Sequence, residues 1–182
     1  FYQKNFSLTK RWELVNEDSY TIGASGHGIS VFDVDFDHDD EILMGNMCIE
    51  SDGSIKYFIG QSGRKDGWDG YVVGHSDYTS VGDILPLVEG FEVVTLVEGG
   101  EATHKAPGVY VSHLSDGGII WKDTSMGHTD IGWLADFSPL EGLEIGGWSV
   151  KTKQFKLYKS DGTVLYQETC DDDKYTQVLR WS

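Results

Sequence analysis

Apolar and polar positions alternate along this chain in runs of only a few residues, and each run stops at a Gly, Asp or Ser. Ile29-Ser30-Val31-Phe32 gives way to acidic residues before Ile42-Leu43-Met44, and Thr79-Ser80-Val81 does so before Val93-Val94. Alternation with a period of two places one set of side chains on a buried face, the pattern of a half-buried strand. No window of twelve residues carries an unbroken helical stripe. With 23 glycines, 3 prolines and 13% aromatic residues, the pattern predicts an all-β chain.

The strands recur in a fixed frame. Ile29-Ser30-Val31-Phe32-Asp33 followed by Asp40-Glu41-Ile42-Leu43 aligns with Thr79-Ser80-Val81-Gly82-Asp83 followed by Phe91-Glu92-Val93-Val94. Both align with Gly132-Trp133-Leu134-Ala135-Asp136 followed by Leu143-Glu144-Ile145-Gly146. The Asp and Glu of each copy stand eight, nine and eight residues apart. Each copy then continues through a strand, an Asp-Gly pair and a last strand: Asp52-Gly53 before Ile55-Lys56-Tyr57-Phe58, Asp116-Gly117 before Ile119-Ile120-Trp121, and Asp161-Gly162 before Val164-Leu165-Tyr166. Asp-Gly between alternating strands is a hairpin signal, with positive φ expected at both residues. A repeat of four strands ending in a hairpin is one propeller blade. The expected blades are roughly 27–72, 75–124 and 128–170, a single partial β-propeller domain over 1–182.

Roughly three blades do not close a ring, which takes about four to eight. Leu8 to Leu14 resembles the outermost strand of a preceding blade, and Tyr175 to Trp181 the first strand of a following one. Open blade edges with bare apolar faces are a liability. The remaining blades are therefore expected from the rest of a longer chain or from a partner chain.

The segment Asp33-Val34-Asp35-Phe36-Asp37-His38-Asp39-Asp40-Glu41 carries the clearest candidate chemistry. Ca²⁺ takes about six to eight oxygens, and carboxylates at alternate positions of a short loop converge on one hard cation. Here Asp33, Asp35, Asp37 and Glu41 offer side chains, and Asp39 offers its carbonyl. His38 occupies the position where such loops normally use Gly for the sharp turn. The second copy has Leu85 and Leu87 where the first has Asp35 and Asp37, and the third has Ser138 and Leu140, so only the first copy is expected to hold calcium. In the others, Asp and Glu are expected to accept backbone N–H groups.

The formal net charge of −16 excludes a nucleic-acid surface, because no Lys/Arg stripe exists to neutralise phosphates. An acidic polysaccharide would be repelled unless cations bridged it, while the same acidity also suits a soluble extracellular protein. No apolar run is long enough to span a bilayer. Cys48 and Cys170 lie two repeats apart and are not expected to pair.

Several motifs, in order, resemble the rhamnogalacturonan lyases of polysaccharide lyase family eleven. They are Leu8-Thr9-Lys10-Arg11-Trp12, Gly26-His27-Gly28 running to Asp33-Val34-Asp35, and Asp40-Glu41-Ile42-Leu43-Met44-Gly45. Gly74-His75-Ser76-Asp77, Val81-Gly82-Asp83, Gly90-Phe91-Glu92-Val93, Gly117-Gly118-Ile119-Ile120-Trp121, and Ala135-Asp136 with Gly142-Leu143-Glu144 follow. The resemblance implies an eight-bladed propeller, secreted by bacteria, that cleaves pectin's rhamnogalacturonan I backbone by calcium-dependent β-elimination. It implies that His27, His75 and Asp77, with His128 and Asp130, line a central funnel, where the first three bind substrate and a His could serve as base or bind sugar hydroxyls; it leaves the catalytic base unassigned. The chain departs from the pattern where the family has Asn on either side of His27. It departs again at Ser76, at Ser80, and at Ile131, where the family commonly has Arg. A carbohydrate-binding or adhesion propeller without the chemistry is the alternative reading.

Overall fold

The computed structural model describes residues 10–13, 26–60, 75–98 and 107–169. The expected strand over Tyr175 to Trp181, Cys170, most of the Leu8 to Leu14 segment and the end of the first expected blade lie outside them. The described strands form three four-stranded antiparallel meanders. The first is β1 (Ile29–Phe32), β2 (Glu41–Met44), β3 (Met47–Ile49) and β4 (Ile55–Phe58). The second is β5 (Ser76–Gly82), β6 (Glu92–Val97), β7 (Gly108–His113) and β8 (Ile119–Asp123). The third is β9 (Ile131–Ala135), β10 (Glu144–Ser149), β11 (Gln154–Tyr158) and β12 (Val164–Thr169). There is no helix among the described residues, and the all-β, partial-propeller expectation holds.

Register explains the Asp-to-Glu frame. Glu41, Glu92 and Glu144 each open the second strand of a sheet, opposite Phe32, Gly82 and Ala135 at the end of the first. The second strands β6 and β10 are buried along their whole length. Strand β12 is exposed throughout, as befits an outermost strand. The core lies between sheets: Leu43, Cys48, Tyr57 and Ile59 meet Val93, Val97, Tyr110 and Leu114, while Val94, Leu96, Val109 and Met126 meet Ile145 and Tyr158.

One device joins the sheets at their outer edges. Trp12 lies over Gly53, Tyr57 over Gly117 and Trp121 over Gly162, so an aromatic from one blade covers the hairpin glycine of the next. The indole N–H of Trp12 donates to the Ser51 carbonyl at 2.9 Å, and that of Trp121 to the Ser160 carbonyl at 2.8 Å. The Tyr57 hydroxyl donates to the Leu114 carbonyl. The three glycines sit at φ +90°, +73° and +84°, and a Cβ on any of them would fall within 2.9 Å of a ring carbon. Glycine is thus required twice over, by the left-handed backbone and by the ring.

The turns differ from the expected two-residue form. Only the glycine of each Asp-Gly pair has positive φ; Asp52, Asp116 and Asp161 do not. Each Asp instead accepts the N–H two residues on, from Ser54, Gly118 and Thr163, at 2.8 Å in all three cases. In the first and third hairpins the flanking residues close a three-residue loop, Glu50 with Ser54 and Lys159 with Thr163. Each sheet shows a register shift beside its hairpin. A turn followed by glycine in a bulge accommodates the extra residue and increases local twist.

At the inner edge the blades meet backbone to backbone. His27 N–H donates to the Ser76 carbonyl at 2.8 Å, and a Cβ on Gly26 would lie 2.0 Å from that same oxygen. Between the second and third sheets, Lys156 donates to Asp123 at 2.8 Å and to Ser125 at 2.7 Å, and the Tyr158 hydroxyl donates to Asp123 at 2.9 Å. Burial pushes the Asp123 carboxyl up, but hydrogen bonds from Lys156, Ser125 and Tyr158 outweigh it and hold the group down at about 2.

Two outcomes follow for stability. Gly117→Ala combines left-handed strain with displacement of the Tyr57 ring and should cost about 2–3 kcal/mol in urea unfolding. Gly90→Ala, at φ +103° with nothing within 4 Å, should cost only about 1 kcal/mol; equal losses would show that the ring contact contributes nothing. Because Asp123 titrates below its ordinary 3.8 when folded, its contribution is complete above that value and lost as pH falls towards 2. Asp123→Asn should remove about 2 kcal/mol at neutral pH and flatten the acid limb of the stability curve.

Candidate functional site

The acidic loop between β1 and β2 folds largely around its own carboxylates. Asp33 accepts the N–H of Asp37 at 3.0 Å and of His38 at 3.1 Å, and Asp37 accepts the N–H of Asp39 at 2.8 Å. Buried Glu41 accepts the N–H of Val34 at 2.9 Å. The equivalent glutamates do the same: Glu92 accepts from Ile84 and Leu85, each at 2.9 Å, and Glu144 from Phe137 at 2.7 Å and Ser138 at 3.1 Å. The glutamate is therefore a loop clamp in all three blades, whatever else it does in the first. His38 takes φ +79° and Phe36 φ +62°, the conformation that glycine would have adopted without cost.

Potential ligand atoms of Asp33, Asp35 and Glu41 lie within 4.8 Å of one another, whereas Asp37 and Asp39 are not part of this group. Three of the four expected side-chain ligands thus converge, Asp37 standing outside the group, while the contribution expected of Asp39 is its carbonyl. A cationic side chain is already present, for Lys56 lies 2.6 Å from Asp35 and 3.0 Å from Glu50. The hydrogen bond from Lys56 holds the Asp35 carboxyl below its usual range. The donor set fits a hard cation, with the Lys56 ammonium as its competitor.

A second cluster forms at the opposite ends of the inner strands. His27 precedes β1, His75 precedes β5, Asp77 lies within β5, and His128 and Asp130 precede β9. Backbone bonds fix these positions: Glu98 N–H donates to the His75 carbonyl at 2.7 Å, Thr129 to Val97 at 3.3 Å and Asp130 to Trp148 at 2.9 Å. The His27 and His75 rings meet edge to face at 4.5 Å between centroids. Ligand atoms of His27, His75 and Asp77 lie within 4.8 Å of one another.

Asp77 is the unusual member. Its Oδ1 is buried without a hydrogen bond, with the nearest imidazole nitrogen, His75 Nε2, 3.4 Å away. Burial first, and then the charge of Glu98, pushes its carboxyl up, while His75 and His27 act in the other direction. An unpaired buried oxygen costs about 1–3 kcal/mol. Two imidazoles and a carboxylate aimed at a common point form a donor set that a divalent cation would satisfy. Beside them His128 Nε2 lies 2.8 Å from Asp130 Oδ1 and 3.4 Å from Glu98 Oε1, and the other Asp130 oxygen accepts the Val150 N–H at 2.9 Å.

The sequence-predicted residues His27, His75 and Asp77 are thus brought together, with His128 and Asp130 alongside. Sequence reasoning treated the first three as sugar ligands and missed both their metal-ligand geometry and Glu98. The one local signal was the spacing of His75 two residues before Asp77 at the start of β5; their meeting with His27 is set by packing between blades.

Comparison with known proteins gives a consistent result. Over 122 residues, 65% of this chain, it is 34% identical to the rhamnogalacturonan exolyase YesX of Bacillus subtilis strain 168, covering 17% of that protein. Over 135 residues, 72% of this chain, it is 30% identical to the rhamnogalacturonan endolyase YesW of the same organism, covering 19% of it. The crystal structure of rhamnogalacturonan lyase YesW superposes with a TM-score of 0.68 and 25% identity, over 93% of this chain and 26% of that one. The chain therefore spans a minor part of the length of each relative. Residues 1–181 match the model of the C-terminal domain of rhamnogalacturonan lyase family 11, and the chain belongs to that family.

Proposed function

We propose that this domain supplies a cation-binding, polysaccharide-facing sector of a secreted, calcium-dependent rhamnogalacturonan lyase. The observation that carries the reading is the buried, unbonded Asp77 Oδ1 facing His27 and His75 at the inner end of the sheets. Family membership supports the substrate class, since the relatives are named as lyases of rhamnogalacturonan. The net charge of −16 supports the cation requirement, because an acidic surface and an acidic polymer repel.

β-Elimination at a uronide removes the C5 proton and expels the C4 oxygen. A bound divalent cation supplies positive charge for the uronate carboxylate and stabilises the charge that develops during proton removal. The chain's own residues give the rest: His27, His75 and Asp77 hold the cation, and the backbone bonds between inner strands fix their separation. Asp33, Asp35 and Glu41, with Asp37 and Asp39 on the same loop, form a separate calcium site that stiffens the far end of the first blade. One observation favours the binding-propeller alternative. Ile131, at the start of β9, is apolar where the resembling lyases carry an Arg able to pair with a uronate.

Incubation of the complete protein with rhamnogalacturonan I should raise the ultraviolet absorbance of the unsaturated uronide in calcium and not in chelator. His75→Ala should lower that rate at least about a hundredfold. A flat trace from folded protein that still binds the polysaccharide would support the binding propeller instead. For the loop, calorimetric titration with calcium should lose one binding event in Asp35→Ala. Lys56→Gln should gain about tenfold in affinity at the same site, because the competing ammonium is gone. Unchanged stoichiometry in Asp35→Ala would remove the loop assignment.

A further inference from the structure

Among the three histidines at the inner mouth, His128 is held differently from the others. His27 and His75 are spent on each other and on Asp77. His128 directs Nε2 at the Asp130 carboxylate, 2.8 Å away, and Asp130 is itself fixed through its second oxygen by the Val150 N–H at 2.9 Å. A carboxylate that holds one ring nitrogen sets the tautomer: Nε2 carries the proton and Nδ1 keeps its lone pair. No hydrogen bond engages Nδ1 among the described residues. The side chain is about a quarter exposed, at 27%, so the ring is reachable from solvent, whereas Asp130 behind it is more covered at 17%. This is the arrangement of a base with its orienting group.

We infer that His128, oriented by Asp130, is the proton-transfer residue for uronide elimination at this mouth, an inference that rests on the lyase reading above. Nδ1 takes the proton from C5. The C5–H electron pair becomes the C4=C5 double bond, the C4–O4 bond breaks with its electrons on oxygen, and the imidazolium returns the proton to that oxygen. Atoms and charge balance without water, oxidant or reductant. The charged groups facing the ring are Glu98, just after β6, and Asp130, just before β9. Beyond them lie Asp77 of β5 and the imidazoles of His27 and His75. The two adjacent carboxylates stabilise the imidazolium that forms midway, as a carboxylate does behind a catalytic imidazole elsewhere. Ile131, next on the strand, offers no proton. Asp130 is a positioning residue, since it touches His128 and not the substrate.

The test uses the complete protein with rhamnogalacturonan I and the unsaturated-uronide absorbance. His128→Gln should lower kcat by about a hundred- to ten-thousand-fold with melting temperature and calcium stoichiometry unchanged. His128→Gly should regain part of its rate on addition of imidazole. Asp130→Asn should lower kcat less than His128→Gln does and leave KM within about threefold of the parent. A His128→Gln rate within about threefold of the parent, or no rescue by imidazole, overturns this assignment and leaves the lyase reading standing. Folded parent protein that forms no product overturns both.

Discussion

An aromatic ring seated on a glycine of the next hairpin holds this fold in register. Trp12 on Gly53, Tyr57 on Gly117 and Trp121 on Gly162 are three uses of one contact, each sealed by a hydrogen bond from the ring's polar end to a hairpin carbonyl. Side-chain packing between sheets is non-directional and tolerates sliding. A ring that fits only over a residue without Cβ, and whose N–H or O–H must find one carbonyl, does not slide. Fixing the outer edges fixes the angle between sheets, and that angle decides how closely the inner strands approach. At the inner edge the His27 to Ser76 bond tolerates no side chain on Gly26. The first two blades are thus clamped to each other at both edges, by glycine in both places.

That clamping gives the inner mouth its chemistry. Asp77 is held with an oxygen buried and unbonded, a cost the surrounding structure sustains because both flanking strands are fixed. The acidic loop at the other end of β1 is the opposite case. Asp33 accepts N–H groups of its own loop and Asp35 pairs with Lys56, so part of what an ion would supply is already present, although the loop stays strongly acidic. Carboxylate density alone is a poor guide to where a cation contributes most. One orphaned oxygen beside two imidazoles marks a site where a bound cation would gain more.

Much of the architecture is legible in the chain because the repeat is written three times. The Glu that opens the second strand is visible as a fixed spacing, and Glu41, Glu92 and Glu144 prove to be the clamps that spacing serves. The turn geometry was less legible. Asp-Gly suggests two residues at positive φ, but the extra residue in each loop moves the strain onto glycine alone and leaves Asp to accept an N–H. Lys56 reads as an ordinary exposed strand position, and its pairing with Asp35 depends on how the loop folds back over β4. The metal geometry at His27, His75 and Asp77 was hidden for another reason. Its members come from two blades, and convergence between repeats is set by packing angle, which no local pattern records.

The central claim is that a cation belongs at the inner mouth. Crystals of the protein soaked in manganese and measured at a wavelength where that ion scatters anomalously test it directly. The account predicts an anomalous peak within bonding distance of His27, His75 and Asp77, absent in His75→Ala crystals. Peaks confined to the loop of Asp33, Asp35 and Glu41, with the inner mouth empty at saturating metal, would contradict it.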